Sequence, residues 1–342
     1  LESETIAREE PKGGEDVYLT IDTDLQHMLE QALDRQMEAM VAPRAMGMLM
    51  DPYTGAILAL ANRPSFDPNA YNTTEPELRK NRAVLDVFEP GSAFKIVTAS
   101  AALDLGILTP ETPVDCEGGS YYVPHRRRPV RDTHPMDVVP FSKCFEESSN
   151  IAMIKVSSHI GQERMDEWIR RFGFGKTTSR DFQTESAGLY RSLDEWSLLS
   201  LASLSMGQEV GVTMPQLARA FAAIANGGYL VEPHFVDRAV SRDGQTTYEF
   251  RIDAIRRIMS PATAATMREL CYRVVLNGTG QPAAIPEYRA GGKTGTAQMQ
   301  KNAEEVAKYG PGGYSTRRYT AVFAGFAPVS HPRLVCVIVI PE

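Results

Sequence analysis

The sequence predicts an α+β fold: one five-stranded antiparallel sheet drawn from both ends of the chain, flanked by helices, with a helical lobe inserted between the two ends. Three observations carry this. Two apolar runs, Met46 to Met50 and Ala56 to Ala61, flank Asp51-Pro52-Tyr53-Thr54-Gly55, whose Pro and Gly suit a tight turn, so they read as a hairpin. Three strand-like runs close the chain, Arg289 to Met299, Tyr319 to Phe326 and Leu334 to Ile340, with Pro328 to Pro332 making the last connection. Between these groups apolar residues recur at helical spacing.

Taken in order, residues 1–15 are polar and contain Pro11, Gly13 and Gly14, which reads as a linker remnant; order is expected to begin near Val17. Leu25, Met28, Leu29, Ala32, Leu33, Met37 and Met40 mark an amphipathic helix, with Thr23 and Gln26 as a capping box and Pro43 beyond its end. Ser92 to Leu105 is apolar nearly all round and stops at Gly106, the pattern of a helix buried on every side. Further helices are expected around Met165, Trp168, Ile169 and Phe172, around Leu217, Ala220, Phe221 and Ile224 before Gly227, and around Met267, Leu270, Cys271 and Val274 after a Ser260-Pro261 start. The expected division is a sheet lobe over about 16–90 and 230–342 and an all-helical lobe over about 91–229. A cleft is expected where they join.

With 342 residues, 43% of them hydrophobic, the chain can bury one large core or two smaller ones. A formal charge of −7 argues against nucleic acid as a partner, because phosphate binding needs a basic surface. Arg126, Arg127, Arg128 and Arg131 are the local exception; they read as a solvated loop, with contact to an anionic polymer or partner as the sharper alternative. Leu334 to Ile340 is the longest strongly apolar run, far short of the roughly 20 residues that span a bilayer. Four cysteines, Cys116, Cys144, Cys271 and Cys336, allow three complete pairings but show no close metal or redox doublet; they read as free, the last two as small core residues. No metal or cofactor is expected: the six histidines lack metal spacing, and His125 and His134 near Cys116 and Asp132 read as a polar loop.

The chemistry is carried by Ser92-Ala93-Phe94-Lys95 after Glu89-Pro90-Gly91. On a helix, residues three apart share a face with β-carbons about 5–6 Å apart, so the Lys95 amine can reach the Ser92 hydroxyl, which is inert until something takes its proton. A Ser and a Lys so spaced occur about once in any chain this long, and the pair alone is weak. It gains force from Ser148-Ser149-Asn150 and Lys293-Thr294-Gly295-Thr296, which follow in fixed order. The ordered triple is a known signature of penicillin-binding proteins and class A β-lactamases. Gly292-Lys293-Thr294 also imitates the end of a phosphate-binding loop, but Glu287 stands where that loop requires Gly. No Gly-x-Ser-x-Gly elbow is present, which disfavours a His-dependent hydrolase.

From about Val17 onward the sequence resembles the transpeptidase domain of class B penicillin-binding proteins. Besides the three motifs, the likeness rests on Asn81-Arg82-Ala83, Phe172-Gly173-Phe174-Gly175, Met206-Gly207-Gln208, Thr213-Met214-Pro215-Gln216-Leu217 and Ala225-Asn226-Gly227-Gly228. Lys293-Thr294-Gly295-Thr296-Ala297-Gln298 is similar to the division-associated branch. The resemblance implies a β-lactamase/transpeptidase-like fold and a peptidoglycan D,D-transpeptidase without cofactor, inhibited by β-lactams. It implies Ser92 as nucleophile, Lys95 as its base, Ser148 as proton relay, and Asn150 binding substrate or holding Lys95. Lys293, Thr294, Gly295 and Thr296 would bind the substrate carboxylate, and the backbone amides of Ser92 and Thr296 would form the oxyanion site. It further implies an extracytoplasmic enzyme held by an N-terminal membrane helix and a pedestal domain, both outside this chain, with glycosyltransferase and division partners. A β-lactam-hydrolysing or β-lactam-sensing protein and a catalytically idle wall scaffold are the alternatives.

Overall fold

The computed structural model describes residues 14–252, 256–301, 303–309 and 313–341. The expected linker therefore lies mostly outside the described residues. Five strands, β1 (Ala45–Met50), β2 (Ile57–Arg63), β3 (Gly291–Gln300), β4 (Tyr314–Ala327) and β5 (Leu334–Pro341), form one antiparallel sheet in the order β3-β4-β5-β1-β2. The last chain segment thus lies between the two N-terminal strands and the other two, with Val337 paired to Met48 and Ala324.

Every residue of β1 is buried, because both faces of the sheet are covered. Successive side chains alternate between faces. Ala45 and Leu49 join Leu29 and Leu33 of α1 (Thr23–Met40), whereas Met46, Met48 and Met50 join the main core on the other side. Gly47 is where α1 comes closest: a β-carbon there would lie 2.7 Å from Leu29 Cδ1. The helix starts differently from the expected capping box. Asp22 is the cap, its Oδ1 accepting from the amides of Asp24 and Leu25 at 3.0 Å each. A carboxylate there also meets the positive end of the helix dipole. Gln26 is used elsewhere: its amide accepts from Leu60 N at 2.8 Å and donates to Leu60 O at 3.1 Å, covering part of the β2 edge.

The opposite face carries α4 (Met214–Ala225) and α5 (Pro261–Asn277), which are labelled after α2 (Lys95–Asp104) and α3 (Asn150–Ile160) of the inserted region. Helix α4 packs on β1, β4 and β5, so it belongs to the sheet layer although the expected boundary at 229 put it in the helical lobe. It is buried all round, and such a pattern does not say against what. The inserted region is also not all-helical. Pro113–Asp115 pairs with Val138–Pro140, and Ser120–Tyr121 with Val130–Arg131, because the Gly- and Pro-interrupted stretch 106–140 cannot sustain an α-helix. A small sheet of Asp16–Leu19, Val236–Val240 and Thr246–Glu249 lies apart from the main one. One continuous apolar core runs through both regions, from Val337 and Phe221 to Phe141 and Met153, so the two are welded rather than hinged.

Candidate active site

Ser92 lies in a single 3₁₀ turn, Gly91–Phe94, which runs directly into α2. Residues Lys95 to Ala102 are all buried, which anchors the helix below the half-buried serine. The turn is wedged between two segments. A β-carbon on Gly295 would meet Pro90 O at 2.2 Å, and one on Gly207 would meet Gly91 O at 2.1 Å; Gly91 N donates to Gly207 O at 3.2 Å. The Gly of the Lys-Thr-Gly motif and that of Met206-Gly207-Gln208 therefore serve one purpose, letting backbone approach backbone around Ser92. Thr296 is close behind: a β-carbon on Gly91, itself at φ +51°, would lie 2.7 Å from its carbonyl oxygen.

Ser148 adopts φ +60°, a left-handed conformation that costs a non-glycine residue about 1–3 kcal/mol. That geometry turns it toward two lysines. Lys95 Nζ donates to Ser148 O at 2.5 Å, to Ser148 Oγ at 3.1 Å and to Asn150 Oδ1 at 2.8 Å. Lys293 Nζ donates to the same Ser148 Oγ at 2.9 Å. Asn150 thus holds Lys95, one of the two roles expected of it. No hydrogen bond joins Lys95 to Ser92 Oγ among the described residues, so the amine expected at the nucleophile rests on the Ser148 side of the cleft.

Both lysines are fully buried. Burial disfavours the ammonium form, and a like charge alongside disfavours it further. Lys95 is held well below the ordinary lysine value, first by burial and then by Lys293, with Asp132 pulling the other way. Burial brings Lys293 down to about 7. The site therefore holds one readily neutral amine and one that is charged over the acid half of the physiological range.

Asp132 is the residue that motif matching overlooked. Its Oδ2 accepts from Ser149 Oγ at 2.5 Å, and its Oδ1 from the amides of Asn150 at 2.6 Å and Ile151 at 3.2 Å. Ser149 Oγ in turn accepts from Ala152 N at 3.0 Å. Together these two side chains cap α3 and so set the direction of Ser148 and Asn150. The Asp132 carboxylate is spent on this cap. The only sequence hint was an acidic residue ahead of a Ser-Ser-Asn cap, and nothing local shows that the two meet.

Gly91, Ser92, Ser148, Asn150, Thr294 and Thr296 line one cavity of about 430 Å³, with Gln208 and Thr279 completing its walls; Thr279 Oγ1 lies 2.9 Å from Thr294 Oγ1. Glu147 and His134 stand at its rim, 3.1 Å apart, and Lys143 bonds the same carboxylate at 2.8 Å. The sequence-predicted residues of all three motifs are thereby assembled, with Lys95 and Lys293 buried beneath the wall. A larger surface hollow of about 640 Å³ near Asp34, Arg63 and Phe66 offers no comparable nucleophile and base. Since β3 is an edge strand, alternate amides along Lys293–Thr296 have no partner strand on their outer side.

Comparison with known proteins agrees with this geometry. Residues 45–342 match the penicillin binding protein transpeptidase domain. Penicillin-binding protein PbpB of Mycolicibacterium smegmatis is 34% identical over 96% of this chain and 50% of its own length. The probable peptidoglycan D,D-transpeptidase PenA of Neisseria meningitidis is 33% identical over 97% of this chain and 53% of its own. Penicillin binding protein 3 from Mycobacterium tuberculosis, solved in complex with aztreonam, superposes with a TM-score of 0.89 at 34% identity, covering 98% of this chain and 75% of that one. The chain spans about half the length of these two curated relatives. Motif geometry, sequence and fold agree that the chain belongs to the penicillin-binding protein transpeptidase family.

Proposed function

We propose that this chain is the catalytic domain of a peptidoglycan D,D-transpeptidase that cross-links stem peptides through an acyl-enzyme on Ser92. The observation that carries the proposal is the Ser148 hydroxyl shared by two buried lysines in the wall of the cavity that holds Ser92. A neutral Lys95 takes the Ser92 proton as Oγ attacks the carbonyl carbon of the penultimate D-Ala. Ser148, both donor and acceptor, passes that proton to the leaving nitrogen, and the terminal D-Ala departs as an amine. The ester that remains is displaced by an amine of a neighbouring stem, whose excess proton returns by the same path. The backbone amides of Ser92 and Thr296 receive the oxyanion, and losing one such donor costs about 3–4 kcal/mol in the transition state. Lys293, with Thr294 and Thr296, holds the substrate carboxylate, while Gly295 lets the strand lie against the nucleophile's turn.

The relatives' names support the assignment, as one is a penicillin-binding protein and another a probable peptidoglycan D,D-transpeptidase. The Mycobacterium tuberculosis neighbour is also solved with ampicillin. The likeness of Lys293-Thr294-Gly295-Thr296-Ala297-Gln298 to the division-associated branch supports a septal role, and family membership supports a place on the extracytoplasmic face of the membrane, with a glycosyltransferase and division proteins as partners. No helix of the described residues is long and apolar enough to cross a membrane, so on this reading the anchor lies in another part of a longer protein.

Intact-mass spectrometry after brief penicillin treatment tests the function. A long-lived penicilloyl adduct, absent in Ser92→Ala, is the expected result. Rapid adduct loss with antibiotic turnover would favour a β-lactamase, and failure of the folded protein to label would favour an idle scaffold. Equal labelling of Ser92→Ala and wild type would dismiss Ser92 as nucleophile.

A further inference from the structure

We propose that Cys116 and Cys144 are a disulfide-forming pair that staples the Asp132-bearing excursion to the floor of the active site. All four cysteines are thiols in this structure, yet Cys116 Sγ and Cys144 Sγ lie 3.6 Å apart and both residues are fully buried. Their backbones are already in register: Cys116 follows Pro113–Asp115, Cys144 sits in the helix Phe141–Glu146, and the preceding strands pair Val114 with Val139. A disulfide needs the sulfurs to close from 3.6 Å to about 2.05 Å.

The location gives the bond a purpose. Between the two cysteines the chain leaves the core, makes the hairpin Ser120–Tyr121 with Val130–Arg131, presents Asp132 to Ser149 and Asn150, and returns. The base of this excursion is closed by the short pairing of Pro113–Asp115 with Val138–Pro140, extended by the bonds from Cys116 N to Asp137 O and from Phe141 N to Thr112 O. Cys116 also touches the motif directly, its sulfur lying 3.6 Å from Ser149 Oγ, the hydroxyl whose proton Asp132 holds. Of the two thiols, Cys116 is the readier nucleophile: the contact with Cys144 lowers its pKa, while Cys144 is pushed up.

Oxidised glutathione serves as oxidant. The Cys116 thiolate attacks one glutathione sulfur, the S–S bond breaks, and one glutathione thiolate leaves. Cys144 then loses its proton and attacks the Cys116 sulfur, expelling the second. Two electrons and two protons pass from the cysteines to give two molecules of reduced glutathione. Because both sulfurs are buried, exchange takes place during folding or local opening. An oxidising surrounding follows from the extracytoplasmic reading above, whereas the pairing itself stands on the geometry alone.

The test is to fold the full chain in a glutathione redox buffer, denature it in iodoacetamide and count adducts. Two adducts rather than four, and a non-reduced digest joining the Cys116 and Cys144 peptides, are expected. The oxidised protein should melt about 5 °C higher than the reduced one, as closing a loop of this size entails. Four adducts under oxidising conditions, a bond between other cysteines, or coincident melting of the two forms would overturn the proposal. Cys116→Ala should melt at one temperature whatever the redox buffer; if it does not fold, the wild-type adduct count still decides. Absence of penicillin labelling would count against the proposed function and leave this pairing untouched.

Discussion

Replacing Lys293 with methionine tests the electrostatic core of the mechanism. The two lysine nitrogens bond the same hydroxyl oxygen at 3.1 and 2.9 Å, so they are at most about 6 Å apart. Two unit charges at that spacing repel by about 3 kcal/mol at an effective dielectric constant of 20, equivalent to about two pK units. A neighbouring cation disfavours the ammonium form, so its removal must raise the Lys95 pKa. Burial, the larger cause of the depression, remains, and the value stops short of that of a free lysine. Below its pKa Lys95 is protonated and cannot accept the Ser92 proton. The acid limb of the acylation profile should therefore move to higher pH by about one to two units, beneath a uniform fall in rate from the lost carboxylate contact. The assay is the second-order rate constant for a fluorescent penicillin, measured across the acid and alkaline limbs. An acid limb that stays in place, or moves to lower pH, would refute the argument that Lys293 tunes Lys95.

Asp132→Asn removes the charge that receives Ser149 and two helix amides, and should cost about 1–3 kcal/mol of stability by thermal melting, with acylation at least about tenfold slower. Unchanged kinetics would deny Asp132 a positioning role. Gly295→Ala drives a methyl group into Pro90 O, a backbone atom that cannot rotate away, and should abolish penicillin labelling while circular dichroism stays native-like. Full labelling would show that the close approach is dispensable. Stability should also respond to pH through Lys293. Between about 7 and the ordinary lysine value near 10.4 this group is neutral when folded but protonated when unfolded, so the unfolded state binds more protons and stability rises with pH across that window. In Lys293→Met that contribution is gone, and the melting temperature should rise less steeply with pH than in wild type; parallel slopes would contradict the depressed value.

Sequence alone determined whatever depends on neighbours along the chain. A serine and a lysine three apart mark Ser92 and Lys95, though the structure puts Ser92 in a 3₁₀ turn ahead of the helix; alternating and continuous apolar runs mark the strands, and Ser260-Pro261 marks a helix start that the structure places at Pro261 with Ser260 as cap. The motif order named the remaining site residues, although nothing local showed which of them touch. Tertiary structure decided that Lys95 and Lys293 share Ser148, residues 53 and 145 positions away from it respectively, and that Asp132 holds the segment they bond. It also decided that α4 belongs to the sheet, that Gln26 guards the β2 edge, and that Cys116 meets Cys144. Helical or strand periodicity records that a face is apolar, but not what covers it. Likewise a polar side chain does not carry in its sequence neighbourhood the identity of a partner brought close only when the core has condensed.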